Sequence, residues 1–579
     1  MYILGINAGH TATACLLKDG EVIGCISEER FSRIKNHSGF PRQAVKYLLE
    51  LEKIGSCDLD MIVMDNNFKK DPFFEKKFLQ AYTKKSRKDK ILSKVGYKFP
   101  YLFSRYLKIK RPFFISRKKK NADKIKKKVS HIMGVPESKI EIADHHTLHA
   151  MSCCFNLPPN KKNLIFTLDG EGDGLCASVN LFDGKKFETI SRTNKSASLG
   201  YLYSIATIFL GMKPLQHEFK VMGLAPYAKS HNVDKIYPLF EKLISVNSNL
   251  EFVSKFNMPF ADHFFREEME FVRFDVIAGA VQKLVEEKTV EWVLKSIRKT
   301  GIKNVSLSGG VFMNVKANQK ISKLKEVKDF FVMPSCGDES NAIGACFYGY
   351  LAHCQKNNLK FSVKPIKHLY LGPKYDDMYI ERLISENNLF KKYDISRPKE
   401  INKEIARLLA SGEIVARCSG RSEWGARALG NRSILANPRN RDTVRILNET
   451  IKDRDFWMPF TPSILDRFEK IYIKNPKKID AYYMIVTFDS TEKAKEDLPA
   501  AMHPYDFTLR PQIVRKEHNK DYYQILTYFE KFTGCGGILN TSFNLHGEPN
   551  VLTPEDALHT VENSDIKYLA MENYLFKKK

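Results

Sequence analysis

Residues 1–27 read MYILGINAGHTATACLLKDGEVIGCIS, and residues 163–191 read NLIFTLDGEGDGLCASVNLFDGKKFETIS. In the first stretch the apolar run Tyr2 to Ile6 predicts a strand, followed by a small-residue turn and a second strand from Ala12 to Leu17. An Asp19-Gly20 turn leads into a third strand, Glu21 to Ser27. Asp-Gly between apolar runs is a hairpin signal because the tight turn needs positive φ, which these residues tolerate. The second stretch repeats the order: strand Asn163 to Leu168, glycine-rich turn Asp169 to Gly174, strand Leu175 to Leu181, Asp183-Gly184, strand Lys186 to Ser191. A supersecondary unit recurring after roughly 160 residues predicts two related half-domains. Beyond it lie a helix from Asp275 (as N-cap) to Thr300, the strand Asn304 to Leu307 and the turn Ser308-Gly309-Gly310. Val332-Met333-Pro334 leads to Gly337-Asp338-Glu339-Ser340-Asn341 and a small-residue helix, Ala342 to Tyr350. The pattern breaks near Pro365, Gly372 and Pro373, and a second α/β series starts near Tyr375, which places a domain boundary at 365/366.

At roughly 100–200 residues per domain, 579 residues accommodate two to four domains. A 43% hydrophobic and 28% charged composition excludes general disorder. No apolar run reaches the roughly 18 residues of a membrane span, and the N-terminus has neither the basic stretch nor the cleavage site of a signal peptide. The eleven cysteines are scattered and show no C-x-x-C, which argues against a disulfide scaffold and a zinc ribbon. The expected setting is the reducing cytoplasm.

The net charge of +26 is unevenly placed. Residues 68–128 carry 23 Lys and Arg against four acids, so one basic insertion supplies most of the excess. It also holds a series of Phe and Tyr. Such a segment can dock on an anionic surface, peripheral to a membrane for instance, or it can be a packed insertion with solvated lysines.

Four motifs carry chemistry. In Asp144-His145-His146-Thr147-Leu148-His149 a helix would put His145 and His149 on one face, able to present two imidazoles to one metal or to be a plain surface pair. Asp169 and Asp338, in acidic glycine turns, are candidate co-ligands; the mixed set suits iron, manganese or zinc alike. Ser308-Gly309-Gly310-Val311-Phe312-Met313-Asn314 allows backbone N–H groups to approach phosphate, or is simply a tight turn. In Glu218-Phe219-Lys220-Val221-Met222-Gly223, Glu218 and Lys220 also read as an ordinary surface pair. The densest motif is residues 420–433, GRSEWGARALGNRS, with Arg421, Arg427 and Arg432 separated by glycines. Arginine forks bind carboxylate or phosphate in two-pronged fashion. Lys452, Arg454, Arg510, Asn540 and Asn544 add donors of the same kind, which fits a phosphorylated substrate and a nucleotide.

Together these pieces resemble the O-carbamoyltransferase family that modifies nodulation factors, cephalosporins and aminoglycosides. The matching segments are GINAGH, SEERFSRIKNHSGFP (27–41), DHHTLHA, LDGEGDG, EFKVMGLAPYA, SGGVFMN, GDESNAIGA, GRSEWGARALGNRSILANPR, LNETIKDRDFWMPFTPSIL and LNTSFNLHGEP, in family order. The resemblance implies an α/β protein of two domains. Residues 1–365 would form an actin-like (ASKHA) two-halved domain similar to the tRNA threonylcarbamoyl-transfer enzymes. Residues 366–579 would form a YrdC-like α/β domain that makes carbamoyl-adenylate from carbamoyl phosphate and ATP. Carbamoyl transfer to a hydroxyl of a sugar-containing or other small acceptor follows.

Carried over by position, His10 is the catalytic base, and His145, His149 and Asp338 are metal ligands, with Asp169 a further ligand or nucleotide contact. The metal is Fe(II) or another divalent ion, with Mg accompanying ATP. Lys220, Gly223, Gly309, Gly310 and Asn314 would line the nucleotide cleft. Arg421, Arg427, Arg432, Lys452, Arg454, Arg510, Asn540 and Asn544 would clasp carbamoyl phosphate and ATP. No acceptor-binding residue is assigned. The chain departs from the pattern at Thr11, where relatives commonly carry Asp, at Met458 (often Arg) and at Ala426 (often Pro). The competing readings are a fused threonylcarbamoyladenosine tRNA-modification enzyme, which does not usually carry SEERFSRIK, and a non-catalytic carbohydrate- or membrane-surface-binding protein. Nucleic acid is therefore not the expected partner.

Overall fold

Strand alternation and the Asp-Gly turns build the same sheet twice. In the computed structural model, which describes residues 1–66, 94–95, 99, 121–157, 161–452 and 454–579, β1 (Tyr2–Asn7), β2 (Thr13–Lys18) and β3 (Glu21–Ser27) form an antiparallel meander. Asp19 (φ 49°) and Gly20 (φ 81°) take the left-handed conformations the first turn requires. β4 (Met61–Asp65) and β5 (Ile140–Ala143) add in parallel, giving the order β3-β2-β1-β4-β5.

β6 (Asn163–Gly172), β7 (Leu175–Phe182) and β8 (Phe187–Asn194) repeat the meander. After a short ribbon, β9 (Ser245–Val246) with β10 (Phe252–Val253), the strands β11 (Asn304–Ser308) and β12 (Asp329–Val332) again add in parallel. The second order, β8-β7-β6-β11-β12, has the connectivity of the first. The internal repeat of the sequence is thus a repeat of topology in a mixed α/β fold. The helix Ser340–Lys356 packs on β1, β4 and the helix His145–Met151, and so brings the turn ahead of it to the strand ends.

Three local expectations are revised. β6 continues through the glycine-rich motif to Gly172, with a register irregularity between Leu168 and Gly172. The long helix begins at Phe274, so Asp275 sits inside its first turn, where the helix dipole favours an acid. Arg273 grips that carboxylate with two hydrogen bonds of 3.0 Å. The helix expected over Ala342–Tyr350 runs from Ser340 to Lys356, because its polar last turns continue the helix on its solvent side.

The chain divides into two compact units, residues 1–28 with 36–366, and residues 29–35 with 367–579. A contiguous first domain of 1–365 is therefore corrected at one place: the segment 29–35, inside SEERFSRIK, belongs to the second unit. That unit is built on an eight-stranded mixed sheet, β13 (Tyr393–Ser396), β22 (Tyr574–Lys578), β21 (Tyr568–Met571), β14 (Val415–Cys418), β15 (Arg432–Ala436), β20 (Gly537–Ser542), β16 (Thr461–Leu465) and β19 (Gln512–Val514), in that spatial order. A separate ribbon pairs β17 (Ile473–Lys474) with β18 (Asp489–Ser490). Ile434, Leu539, Leu569 and Met571 anchor its apolar core.

Most of the basic insertion 68–128 lies outside the described residues; its last part, 121–128, belongs to a helix over 121–133. All eleven cysteines are free thiols. Among the described residues no helix is long and apolar enough to cross a membrane.

Candidate functional site

The first constellation is in unit 1. Asp144 caps the helix His145–Met151 by accepting from the N–H of Thr147, and one helical turn then stacks His145 over His149, both buried. Their Nε2 atoms are 3.1 Å apart. Asp169, at the bend of β6, and Asp338, in the turn before the helix Ser340–Lys356, close the group. Asp169 lies 3.3 and 3.6 Å from the two nitrogens, and Asp338 lies 3.6 and 3.7 Å from them. All four donor atoms fall within 4.8 Å of one another.

Nitrogen and oxygen ligands bound at about 2.0–2.2 Å to one divalent ion stand roughly 3–3.5 Å apart, so this donor set fits a metal. The far sides of the rings are committed elsewhere: His145 Nδ1 faces Asp65 at 3.0 Å, and His149 Nδ1 faces the Ser340 hydroxyl at 3.0 Å. Fixing Nδ1 leaves each Nε2 to the cluster. Gly172 makes room, since a Cβ there would fall 2.0 Å from the His145 ring.

The electrostatics have the same sense. Burial works against a charged His145, yet Asp338, Asp169 and Asp65 outweigh it and hold its pKa well above the ordinary value. Burial likewise opposes the charge on Asp169, but His145 and His149 hold its carboxyl well below the usual range. At the neighbouring His146 the pull of Asp169 and Asp144 is outweighed. Burial and the two other imidazoles pull it down to about 3, and its Nδ1 pairs with Thr167 at 2.8 Å. The cluster is a place for positive charge.

His10 sits on the loop after β1. Asn7 shapes that loop by donating to the carbonyls of His10 (2.6 Å) and Thr11 (3.2 Å). Thr11 is left-handed (φ 51°), an uncommon state for a β-branched residue. Its hydroxyl donates to the His10 carbonyl at 2.8 Å and lies 3.2 Å from the buried carboxylate of Glu339. His10 also bears electrostatically on Glu218, whose carboxylate accepts from the Ser204 hydroxyl and the Leu215 N–H, both in unit 1.

The residues expected to line a nucleotide cleft lie on the turn after β11 and on a short helix, Glu218–Leu224. Gly309 (φ 100°) lets the turn after β11 pass β6, where a Cβ would lie 2.4 Å from the Leu168 carbonyl. Gly310 faces the Asp169 carboxylate, 2.8 Å from where its Cβ would be. Asn314 is turned inward: it caps the helix Val315–Ser322 and exchanges hydrogen bonds with Gln282. Lys220 and Gly223 lie on the helix Glu218–Leu224.

The second constellation is in unit 2, and its cations fall into two groups. Arg432 is fully buried and donates to the carbonyls of Leu552, Ser419, Gly420 and Asn431. Arg421 donates to the carbonyls of Leu371 and Gly372. Asn540 is tied to Ala428, Ser463 and Gln512. Lys452 knots the end of β20 to the next loop, reaching the Ser542 carbonyl (2.5 Å) and both oxygens of Asn544 (3.1 Å). These residues have a packing purpose that their spacing did not reveal.

Arg427, Arg454 and Arg510 differ. Each keeps part of its surface open. Burial and Arg427 bring Arg454 down to about 10, and burial, Arg427 and Arg454 push Arg510 well below its ordinary value. Among the described residues, the charges acting on Arg454 and Arg510 are other arginines. Guanidinium forks bind phosphate and carboxylate in two-pronged fashion, so these three arginines are the candidates for an anion. Glu423 holds the loop beside them by accepting from the N–H groups of Leu429, Asn431 and Arg432.

Residues 2–347 match the family model described as carbamoyltransferase N-terminus, and residues 406–578 match carbamoyltransferase C-terminus. The chain belongs to the carbamoyltransferase family. A similar protein from Synechocystis sp., uncharacterized protein sll1178, is 29% identical over 100% of this chain and 97% of its own. Nodulation protein NolNO of Sinorhizobium fredii is 28% identical over 98% of this chain and 79% of its own. Among solved structures, full-length HypF in its phosphate- and nucleotide-bound form is 14% identical with a TM-score of 0.34, over 61% of this chain and 46% of that one.

Within this carbamoyltransferase the structure adds residues that motif reading passed over. Asp65 ends β4 with no motif around it, and Glu423 sits inside the arginine motif among more conspicuous neighbours. Glu339 was visible as the acid next to Asp338, and its alignment with Thr11, 328 residues away, gives it a partner only in three dimensions.

Proposed function

We propose that this carbamoyltransferase is an ATP-dependent O-carbamoyltransferase acting on a sugar-containing or other small hydroxylated acceptor. Carbamoyl phosphate, ATP and one water give carbamoyl-AMP, phosphate and pyrophosphate. The acceptor hydroxyl then attacks the carbamoyl carbon, the bond to the AMP oxygen breaks, and AMP leaves. The observation that carries this reading is the group of Arg427, Arg454 and Arg510, in which, among the described residues, the charges acting on Arg454 and Arg510 are those of other arginines.

In this scheme the three guanidiniums hold phosphoryl oxygens and stabilise the charge that builds on them. The knot made by Lys452 and Asn544, and the carbonyl-bound Arg421 and Arg432, keep that site in shape. In unit 1, His10 takes the proton of the acceptor hydroxyl, the work an imidazole does well near neutral pH. His145, His149, Asp169 and Asp338 would hold a divalent metal, which supplies Lewis acidity toward a phosphoryl or carbonyl oxygen. The duplicated β-meander supports an actin-like reading of unit 1, and a YrdC-like unit 2 is part of the same proposal.

The test follows AMP and pyrophosphate from purified, metal-loaded protein given ATP and carbamoyl phosphate without acceptor. Pyrophosphate release that requires carbamoyl phosphate is the expected result. Release only with threonine and bicarbonate would transfer the protein to the tRNA-modification reading. No release with either pair would overturn the catalytic proposal.

A further inference from the structure

The turn ahead of the helix Ser340–Lys356 carries the chain from β12, in the second sheet of unit 1, to a helix that packs on β1 and β4 of the first. Three of its residues meet the histidine pair. Asp338 lies 3.6 and 3.7 Å from the two Nε2 atoms, while Ser340 and Asn341 lie 3.0 and 3.2 Å from Nδ1 of His149 and His145. Glu339, between them, serves a different partner. It is 6% exposed; Oε2 lies 3.2 Å from the Thr11 hydroxyl, and Oε1 accepts from the Ser335 hydroxyl. Gly337 leaves room for this fold-back, since a Cβ there would fall 2.4 Å from Oε2.

Thr11 follows His10 directly, and its carbonyl accepts from the Thr13 hydroxyl at 2.8 Å and from the Asn7 amide at 3.2 Å. Those bonds fix the loop backbone, and the Thr11 side chain is its contact with the acidic turn. The register of loop and turn is set by Gly5 of β1, where a Cβ would fall 2.0 Å from the Ala342 carbonyl. The left-handed φ of 51° at this β-branched residue persists only where the surroundings enforce it, and a buried carboxylate reaching its hydroxyl is such a surrounding. Asp338 and Glu339 share one hydrogen-bonded turn, closed by the N–H of Ser340 on the Gly337 carbonyl (2.9 Å) and of Asn341 on the Asp338 carbonyl (3.0 Å). A shift of one carboxylate therefore moves the other.

We infer that Glu339 is a positioning residue. Acting through Thr11, it holds the His10 loop against the turn that carries Asp338, so that the base and the metal cluster are set together. This deepens the proposed function and rests on its assignment of His10 to the acceptor hydroxyl.

The experiment uses the full-length wild type and the variants Glu339→Gln, Thr11→Val and Thr11→Ser. Each is treated with diethyl pyrocarbonate near neutral pH, and the rate of His10 modification is followed by peptide mass spectrometry. His231, exposed on the helix Ser230–Glu241, is the internal standard. Glu339→Gln and Thr11→Val are expected to raise the His10 rate about 3–10-fold, as loss of one hydrogen bond does. Thr11→Ser, which keeps the hydroxyl, restores the wild-type rate. Adding Mn2+ slows His10 in the wild type and leaves it unchanged in Glu339→Gln. A His10 rate unaltered in both Glu339→Gln and Thr11→Val would overturn the inference, and should the first variant not fold, the second reads the same contact from its other end. Loss of Mn2+ binding in Glu339→Gln, read by competition with a chelator, with the His10 rate unchanged would place Glu339 in the metal site instead. A protein that shows the Glu339-dependent His10 rate yet releases no pyrophosphate would overturn the proposed reaction and leave this assignment standing.

Discussion

Asp65 accepts from one side of the His145 ring, at 3.0 Å from Nδ1, while Nε2 on the other side stands 3.1 Å from Nε2 of His149. Eighty residues separate the two partners in the chain, and β4 and the helix His145–Met151 bring them together. A buried carboxylate on the back of a ligand imidazole sets its tautomer and raises its basicity. Asp65→Asn keeps an acceptor but removes the charge. Divalent-metal affinity, read by competition with a chromophoric chelator, is expected to fall about 10–100-fold with the circular dichroism unchanged. Equal affinity in the two proteins would remove Asp65 from the cluster's support.

Glu218 gives a pH dependence with a definite sign. Burial raises its carboxyl above the ordinary 4.5, although the Leu215 N–H and the Ser204 hydroxyl pull the other way. The folded protein then binds this proton more tightly than the unfolded chain does. The stabilisation is complete below about 4.5 and is lost as pH rises through the raised folded value. Glu218→Gln carries no charge to bury. Its Tm should match wild type near pH 4 and exceed it at pH 8, at about 2–4 °C for each kcal/mol relieved. A constant difference between the two proteins at both pH values would contradict this.

Arg427 and Arg454 act electrostatically on Arg510, both against its charge. Removing one of three like charges relieves repulsion, a gain that solvent at the open side keeps small. Arg510→Gln should therefore raise the Tm by about 1–3 °C while carbamoyl-phosphate-dependent pyrophosphate release drops about 100-fold in kcat/KM. A variant that loses stability together with activity would mark Arg510 as structural.

Arg432 should behave in the opposite way. Its guanidinium spans four carbonyls from three chain segments, and a lysine ammonium cannot reach them all. Arg432→Lys leaves buried acceptors unmet, costing about 3 kcal/mol, so the Tm should fall by roughly 6–12 °C. Calorimetry of the purified variant checks this, and a loss of activity at unchanged Tm would return Arg432 to the ligand-facing group.

What the sequence determined by itself is whatever depends on neighbours a few residues apart. Alternating apolar residues around Asp19-Gly20 and Asp183-Gly184 specify each meander, because side-chain period and turn chemistry are local. The spacing of His145 and His149 specifies a shared helical face for the same reason. Tertiary structure decided the rest. Arg421, Arg427, Arg432, Arg454 and Arg510 look alike in the chain. The carbonyls of Leu371, Gly372 and Leu552, brought in from distant segments, mark Arg421 and Arg432 as arginines that brace the fold. Asp65 and the segment Glu29–Lys35 likewise acquire their places from partners 80 to over 500 residues away. A hydrogen bond is satisfied by proximity in space, and proximity across such separations is created by the packing of whole sheets.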